Sequence, residues 1–226
     1  MRKRTGTFNA MKRPIVLTSV TQSDDPDVTH LPLLGTRFFS PAVDLSRYDG
    51  IILTSKQGVE AIERIDPAWK SLDVLCVGKA TENKIVSLGA KILERSDGYG
   101  AGLYDIVKRR HAGRRWLYAR PKVVASDFAQ RLRNDGITVD EVVVYETVCE
   151  DGGETPPKNA VLIFTSPSAL KCFEKRFAIV PTQDVVVIGR TTAQAARTHA
   201  HVHMAPEPSV RACVALAKHI AKRSIA

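Results

Sequence analysis

The sequence predicts an α/β protein built from two similar domains, each a parallel sheet covered by helices. Three observations carry this reading. Short apolar, β-branched runs alternate with stretches of helical spacing along nearly the whole chain, the pattern of parallel strands joined by helical crossovers. The phrase "IILTSKQGVEAI" at Ile51–Ile62 returns as "VLIFTSPSALKCF" at Val161–Phe173. Farther on, "VLCVGKATENKI" (Val74–Ile85) returns as "VVVIGRTTAQAA" (Val185–Ala196). Thr54 and Thr165, Ser55 and Ser166, Gly78 and Gly189, and Thr81 and Thr192 all stand 111 residues apart, with no gap between residues 52 and 85. A fixed offset of this kind means duplicated supersecondary units.

Each element follows from local pattern. Apolar runs predict strands at Ile15–Thr18, Phe38–Val43, Gly50–Thr54, Val74–Val77, Lys91–Leu93 and Trp116–Ala119. Further strands are expected at Val139–Thr147, Ala160–Thr165, Val185–Ile188 and Val202–Met204. Spacing near 3.6 predicts helices over Gln57–Arg64, Ala80–Leu88, Leu103–Arg110 and Ala125–Asn134, then Ala169–Phe177, Thr192–His199 and Val210–Ala221. An earlier pair extends the duplication at an offset of 101: "PIVLTS" (Pro14–Ser19) resembles "RWLYAR" (Arg115–Arg120), and Gly35 falls on Gly136. The strand phrase "TRFFSPAVDLS" has "VDEVVVYET" as its counterpart. About ten residues are therefore gained in the second copy, and the Pro/Gly-rich "CEDGGETPPKN" (Cys149–Asn159) reads as the inserted linker. Two such units give two domains with a cleft between them.

Composition narrows the function. The chain has 226 residues, 44% hydrophobic and 25% charged, ordinary for a globular protein of one or two domains. Apolar runs such as Val142–Val144 and Val185–Ile188 are far too short to span a bilayer. The basic N-terminus lacks the apolar stretch of a secretory signal, so a cytoplasmic location is expected. Residues 1–13 read as a disordered leader, with Met11 as a candidate start. Of the net charge of +9, five come from Arg2, Lys3, Arg4, Lys12 and Arg13, which leaves a mild +4. No basic-aromatic interleaving is present, which argues against nucleic acid. Cys76, Cys149, Cys172 and Cys213 form no CxxC pair, and Cys76 and Cys172 sit in apolar patterns; reduced thiols fit best.

Four strand ends carry polar turns that lead into helices: Thr54-Ser55-Lys56-Gln57-Gly58, Gly78-Lys79-Ala80-Thr81, Ser166-Pro167-Ser168 and Gly189-Arg190-Thr191-Thr192. Ligands of open parallel sheets bind beyond the carboxyl ends of the strands, and helix N-termini favour anions. Glycine at 78 and 189 admits close approach to the backbone. Plain N-capping explains any one such turn; four on two matched units point to an anionic ligand. Tyr145 is the one phenol of its strand, where a half-buried aromatic is also ordinary. "THAHVH" (His199, His201, His203) lacks the carboxylate or cysteine of a metal shell, and "GYGAG" (Gly98–Gly102) matches no phosphate-binding pattern.

On these residues the chain resembles uroporphyrinogen-III synthase. The resemblance runs from Ile15 to Lys222, and its carriers are "LTSKQGVEAI", "VLCVGKATENKI", "LYARPKVVASDFAQRLRNDGITVDEVVVYET", "LIFTSPSAL" and "VVVIGRTTAQAA". It implies two parallel-sheet α/β domains joined by a two-stranded β-ladder, the first discontinuous (14–37 plus 149–226), the second 44–138, with 38–43 and 139–148 as ladder strands. It implies cyclisation of the linear tetrapyrrole hydroxymethylbilane, with loss of water and inversion of ring D through a spiro intermediate. No cofactor or metal is implied, and the partner is this small polycarboxylate, neither nucleic acid nor membrane. The protein would be a monomer in transient contact with the preceding enzyme of the pathway. Tyr145 matches the ladder tyrosine and Thr192 a threonine at the cleft, the two catalytic candidates. Thr54, Ser55, Lys56, Gln57, Gly58, Gly78, Thr81, Arg120, Ser166, Ser168, Gly189 and Thr191 would bind substrate. One departure stands out: bacterial members carry Thr-Arg-Pro after the first strand, where this chain reads Thr18-Ser19-Val20. A two-domain nucleotide-sugar transferase and a non-enzymatic anion sensor are the other readings of the residues.

Overall fold

A computed structural model describes residues 12–97, 100–124 and 126–222. The leader expected over residues 1–11, two glycine-rich-turn residues (98 and 99) and the expected helix start at residue 125 lie outside them. The chain divides into two compact units, the first taking the chain up to Gly35 and again from Val148, the second Thr36–Thr147.

The first unit holds a five-stranded sheet of β1 (Ile15–Leu17), β2 (Val28–His30), β9 (Val161–Phe164), β10 (Asp184–Val187) and β11 (Val202–Met204). Its order is β11-β10-β9-β1-β2, and every pair is parallel. Strand side chains alternate between faces. Val16, Leu162, Phe164, Val185 and Val187 pack on α5 (Pro167–Glu174) through Ala169, Leu170 and Phe173, and on α6 (Arg190–Ala195) through Ala193. Ile15, Leu17, Val161, Ile163 and Val186 face α7 (Val210–Ala221) through Cys213, Val214, Ala217 and Ile220.

The second unit holds β4 (Gly50–Leu53), β5 (Asp73–Val77), β6 (Ile92–Ser96), β7 (Trp116–Pro121) and β8 (Val139–Cys149). With β3 (Leu34–Phe38) at the edge, the order is β3-β8-β7-β4-β5-β6. One face (Ile51, Leu53, Val74, Cys76) packs on Val59 and Ile62 of α1 (Lys56–Ile65) and Ile85 of α2 (Lys79–Ser87). The other (Ile52, Leu75, Trp116, Tyr118) packs on Leu103 and Val107 of α3 (Gly100–Arg110) and Phe128 and Leu132 of α4 (Phe128–Asn134).

Three expectations are corrected. The ladder strand placed at 38–43 is β3, Leu34–Phe38, and the chain leaves the sheet after Phe39; Pro41 has no N–H to give a ladder. The leader does not extend to residue 13. Arg13 is 7% exposed and donates to Asp184 at 2.5 Å, to Asn159 O at 2.8 Å and to Thr182 O at 3.2 Å, while Lys12 pairs with Asp27. Finally, the cysteines are not all thiols. Cys149 and Cys172, whose Cα atoms are 5.4 Å apart, form a disulfide, because the end of β8 packs directly on α5. Cys76 and Cys213 are free and buried, and burial pushes both thiols up to about 11. Among the described residues no helix is long and apolar enough to cross a membrane.

Candidate active site

The carboxyl ends of β4, β7 and β8 in the second unit surround a pocket of about 210 Å³. It is lined by Thr54, Ser55, Val77, Tyr118, Pro121, Val123, Val124, Ser126, Phe128 and Tyr145. Apart from two phenols, none of these side chains can ionise.

A register shift brings Tyr145 there. Along the β7–β8 ladder Ala119 pairs with Val142, Arg120 with Val143, and then Pro121 with Tyr145. β8 therefore carries one extra residue, Val144, where the partner offers proline. A bulge of this kind re-aims the side chains beside it, and both Val144 and Tyr145 are buried as a result. The ladder resumes at once, with Lys122 N–H donating to Tyr145 O at 2.8 Å.

Hydroxyls hold the phenol. Tyr145 Oη lies 2.8 Å from Ser55 Oγ. Ser55 is the N-cap of α1 and accepts the Gly58 N–H at 3.0 Å. Burial raises the Tyr145 phenol above its ordinary value, and the Ser55 hydrogen bond partly offsets this. Next along the chain, Thr54 Oγ1 lies 3.3 Å from the Tyr118 hydroxyl. Tyr118 is likewise raised, chiefly by burial. Both phenols thus stay protonated through neutral pH, as proton donors must.

Residues 22–215 match the family model described as uroporphyrinogen-III synthase HemD. The chain belongs to the uroporphyrinogen-III synthase family. Its fold is similar to the crystal structure of uroporphyrinogen-III synthetase from Helicobacter pylori 26695: TM-score 0.77, 22% identity, covering 92% of this chain and 99% of that one. A mutant uroporphyrinogen III synthase from the extremely thermophilic bacterium Thermus thermophilus gives a TM-score of 0.51 at 13% identity, over 84% and 86% of the two chains. No curated protein matches the chain in sequence. Uroporphyrinogen-III synthases are cyclising hydro-lyases acting on a tetrapyrrole, and neither the transferase nor the sensor reading is favoured.

The residues matched to uroporphyrinogen-III synthases fall into distinct groups. Thr54, Ser55 and Tyr145 meet in the pocket. Lys56 is exposed, Gln57 half-buried and Gly58 buried in the first turn of α1. Gly78 caps α2 with φ of 75°, a left-handed conformation that favours glycine, and a Cβ there would meet only open space. In the first unit, Ser166 caps α5 by accepting Ala169 N–H at 3.1 Å. Ser168 in α5 and Thr191 in α6 are exposed, and Gly189 at the start of α6 is extended and half-buried. Thr81 and Thr192 are buried, Thr192 at 3% exposure, because the third residue of α2 and of α6 faces its own sheet. Neither lines the pocket. Arg120 is committed: its Nε is 2.9 Å from Glu141, and its terminal nitrogen donates to the Pro121 and Lys122 carbonyls. At the departing first turn, Thr18 Oγ1 donates to Ile163 O at 2.8 Å, a purely internal bond. Of the alternating histidines, His199 meets Glu174 and His203 meets Asp184.

The pocket residues not singled out from sequence are Tyr118, Ser126 and the apolar Val77, Pro121, Val123, Val124 and Phe128. Apolar residues at a strand end carry no pattern that separates a pocket wall from an ordinary core.

Proposed function

We propose that this chain cyclises hydroxymethylbilane to uroporphyrinogen III, with Tyr145 as the proton donor that releases water. The observation that carries the residue assignment is the chain of donors Gly58 N–H, Ser55 Oγ, Tyr145 Oη ending in an uncharged pocket. Ser55 already accepts from Gly58, so its own proton is free to go to the Tyr145 oxygen. The phenol proton then points into the pocket. As it passes to the substrate hydroxyl, the C–O bond breaks, water leaves, and the pyrrole nitrogen supplies the electron pair that forms the azafulvene. Negative charge appears on Tyr145 Oη, where the Ser55 O–H and the positive end of α1 stabilise it. The substituted α-carbon of ring D attacks the azafulvene methylene and closes the spiro intermediate; the bond from that carbon to its original bridging carbon then breaks, and the bridging carbon rejoins ring D at its free α-carbon, which inverts the ring. When the macrocycle rearomatises, the phenolate recovers a proton, and one water is lost overall.

The remaining task is orientation, since the bilane closes unaided to the uninverted isomer. Holding the chain in the spiro geometry supplies several kcal/mol. Acetate and propionate groups would be held in the second unit at the first turns of α1 and α2, around Gln57 and Gly78 and by exposed Lys56. The two units read as copies: β4 and β9, α1 and α5, β5 and β10, and α2 and α6 each start 111 residues apart. Strand order corresponds as well, β6-β5-β4-β7-β8 against β11-β10-β9-β1-β2. Leu33 O accepts from Glu150 N and Val144 O from Phe39 N, an opposite-running register that supports the antiparallel ladder of β3 and β8.

The test is product identity. Freshly made hydroxymethylbilane is supplied, the product oxidised, and isomers I and III separated. Isomer III is expected; isomer I alone at the uncatalysed rate overturns the assignment. Ser55→Ala removes the cap and the phenol's partner together. It is expected to cost about 1 kcal/mol of stability and to slow turnover by about fivefold, roughly the worth of one hydrogen bond. Thermal melts and initial rates on the same sample check both.

A further inference from the structure

The pocket holds a second phenol that the mechanism above leaves unused. Tyr118 rises from β7, one strand nearer to β4 than Tyr145, and is 4% exposed. Its ring is fixed against Phe128, with centroids 4.9 Å apart and planes tilted by 54°, and its hydroxyl meets Thr54 at 3.3 Å. The pattern is paired: consecutive residues Thr54 and Ser55, at the end of β4, each meet one phenol, from β7 and β8 in turn.

Three properties of the pocket limit what can enter. Among the described residues no cationic side chain lines it, so a carboxylate would lose its water without gaining a counter-charge, a cost of several kcal/mol. Its volume of about 210 Å³ lies below the roughly 300–1,000 Å³ of a whole-ligand pocket. That is room for one ring. The lip is apolar: Val123 is 84% and Val124 37% exposed, a hydrophobic margin at a polar strand end.

Resting on the synthase reading, we infer that this pocket seats the hydroxyl-bearing terminal ring of the substrate with its carboxylates outside, and that Tyr118 is a second donor reading the departing hydroxyl. Val77, Val123 and Val124 cover the ring face, and Thr54 orients the Tyr118 proton. A hydroxyl has two lone pairs, so it accepts from Tyr118 and Tyr145 together. Tyr118 holds the oxygen in place while Tyr145 gives up its proton. The arrangement selects a bilane ending in an alcohol over one ending in a methyl group.

Tyr118→Phe keeps the ring packed on Phe128 and removes only the hydroxyl. Two bilane analogues separate binding from turnover: one whose terminal ring is a benzyl alcohol, which forms no azafulvene, and its methyl counterpart. Unmodified protein should bind the alcohol about tenfold more tightly, as one to two added hydrogen bonds allow. The Tyr118→Phe variant should lose most of this preference while binding the methyl analogue within about twofold of the original. With hydroxymethylbilane its kcat/KM should fall about tenfold. Equal binding of the two analogues by the unmodified protein, or a preference that is undiminished in Tyr118→Phe, overturns the inference even if isomer III is formed. Failure to form isomer III strikes instead at the synthase reading, and the analogue affinities still report on the pocket.

Discussion

Tyr145→Phe is expected to form uroporphyrinogen III about 10²-fold more slowly than the unmodified protein, with the fold intact. Phenylalanine preserves the ring that packs in the core of the second unit, where Tyr145 is 6% exposed. Only the proton donor is lost. General acids typically contribute about 10²–10⁴, and the lower end applies because the electron-rich pyrrole itself helps expel the hydroxyl. In free energy this is about 2.7 kcal/mol of barrier. The product ratio gives a second readout. Unaided closure yields isomer I, so slower enzymatic closure raises the share of isomer I even though each enzymatic turnover still inverts ring D. A general acid also fixes the pH response. Burial holds the Tyr145 phenol above its ordinary value, near 10 for a free phenol. Its donor form therefore persists through neutral pH, and its titration should not lower the rate between about pH 6 and about pH 9. Unchanged turnover in Tyr145→Phe would remove this residue from the chemistry and leave orientation as the enzyme's whole contribution.

Local pattern exposes some features of this chain and hides others for physical reasons. Strands such as Asp184–Val187 and Val161–Phe164 bury apolar residues on both faces, so continuous apolar runs reveal them. The caps Ser55 and Ser166 are visible because capping acts within three residues. Strand β2 escaped: its three residues are half-exposed at a sheet edge, where burial leaves little periodic signal. The bulge at Val144 escaped because it exists only in the pairing of β8 with Pro121. Tyr118 lay inside a phrase that reads as an ordinary buried strand; its role comes from Thr54, 64 residues away. Thr192 shows the converse. Its place in a polar turn suggested a site, yet one step along the helix decides which face a side chain takes.

Arg13→Ala is expected to destabilise the first unit by about 3 kcal/mol at neutral pH, more than 10²-fold in its unfolding equilibrium, as breaking one partner of a buried ion pair does. The Arg13 and Asp184 side chains are only 8% and 15% exposed. The guanidinium also satisfies the Asn159 and Thr182 carbonyls, tying the start of β1 to the loops before β9 and β10. Burial tends to raise the Asp184 carboxyl, but hydrogen bonds from His203 and Arg13 outweigh it and hold it below the usual value. A carboxyl lowered in the folded state lends stability that is complete above its unfolded value of about 3.9 and is lost as pH falls through the lower folded value. The gap between the unmodified protein and Arg13→Ala should therefore be widest near pH 7, should narrow as pH falls below about 4, and should close only below the lowered folded value, where protonated Asp184 has no ion pair left to lose. Adding Asp184→Asn to Arg13→Ala removes the stranded charge and should recover about 1 kcal/mol. Urea denaturation of the three proteins at about pH 7 and about pH 3.5 measures all of this. A loss that is small and equal at both pH values would mean that Arg13 acts only through its carbonyl contacts, and that the ion pair with a residue 171 positions away does not secure the sheet.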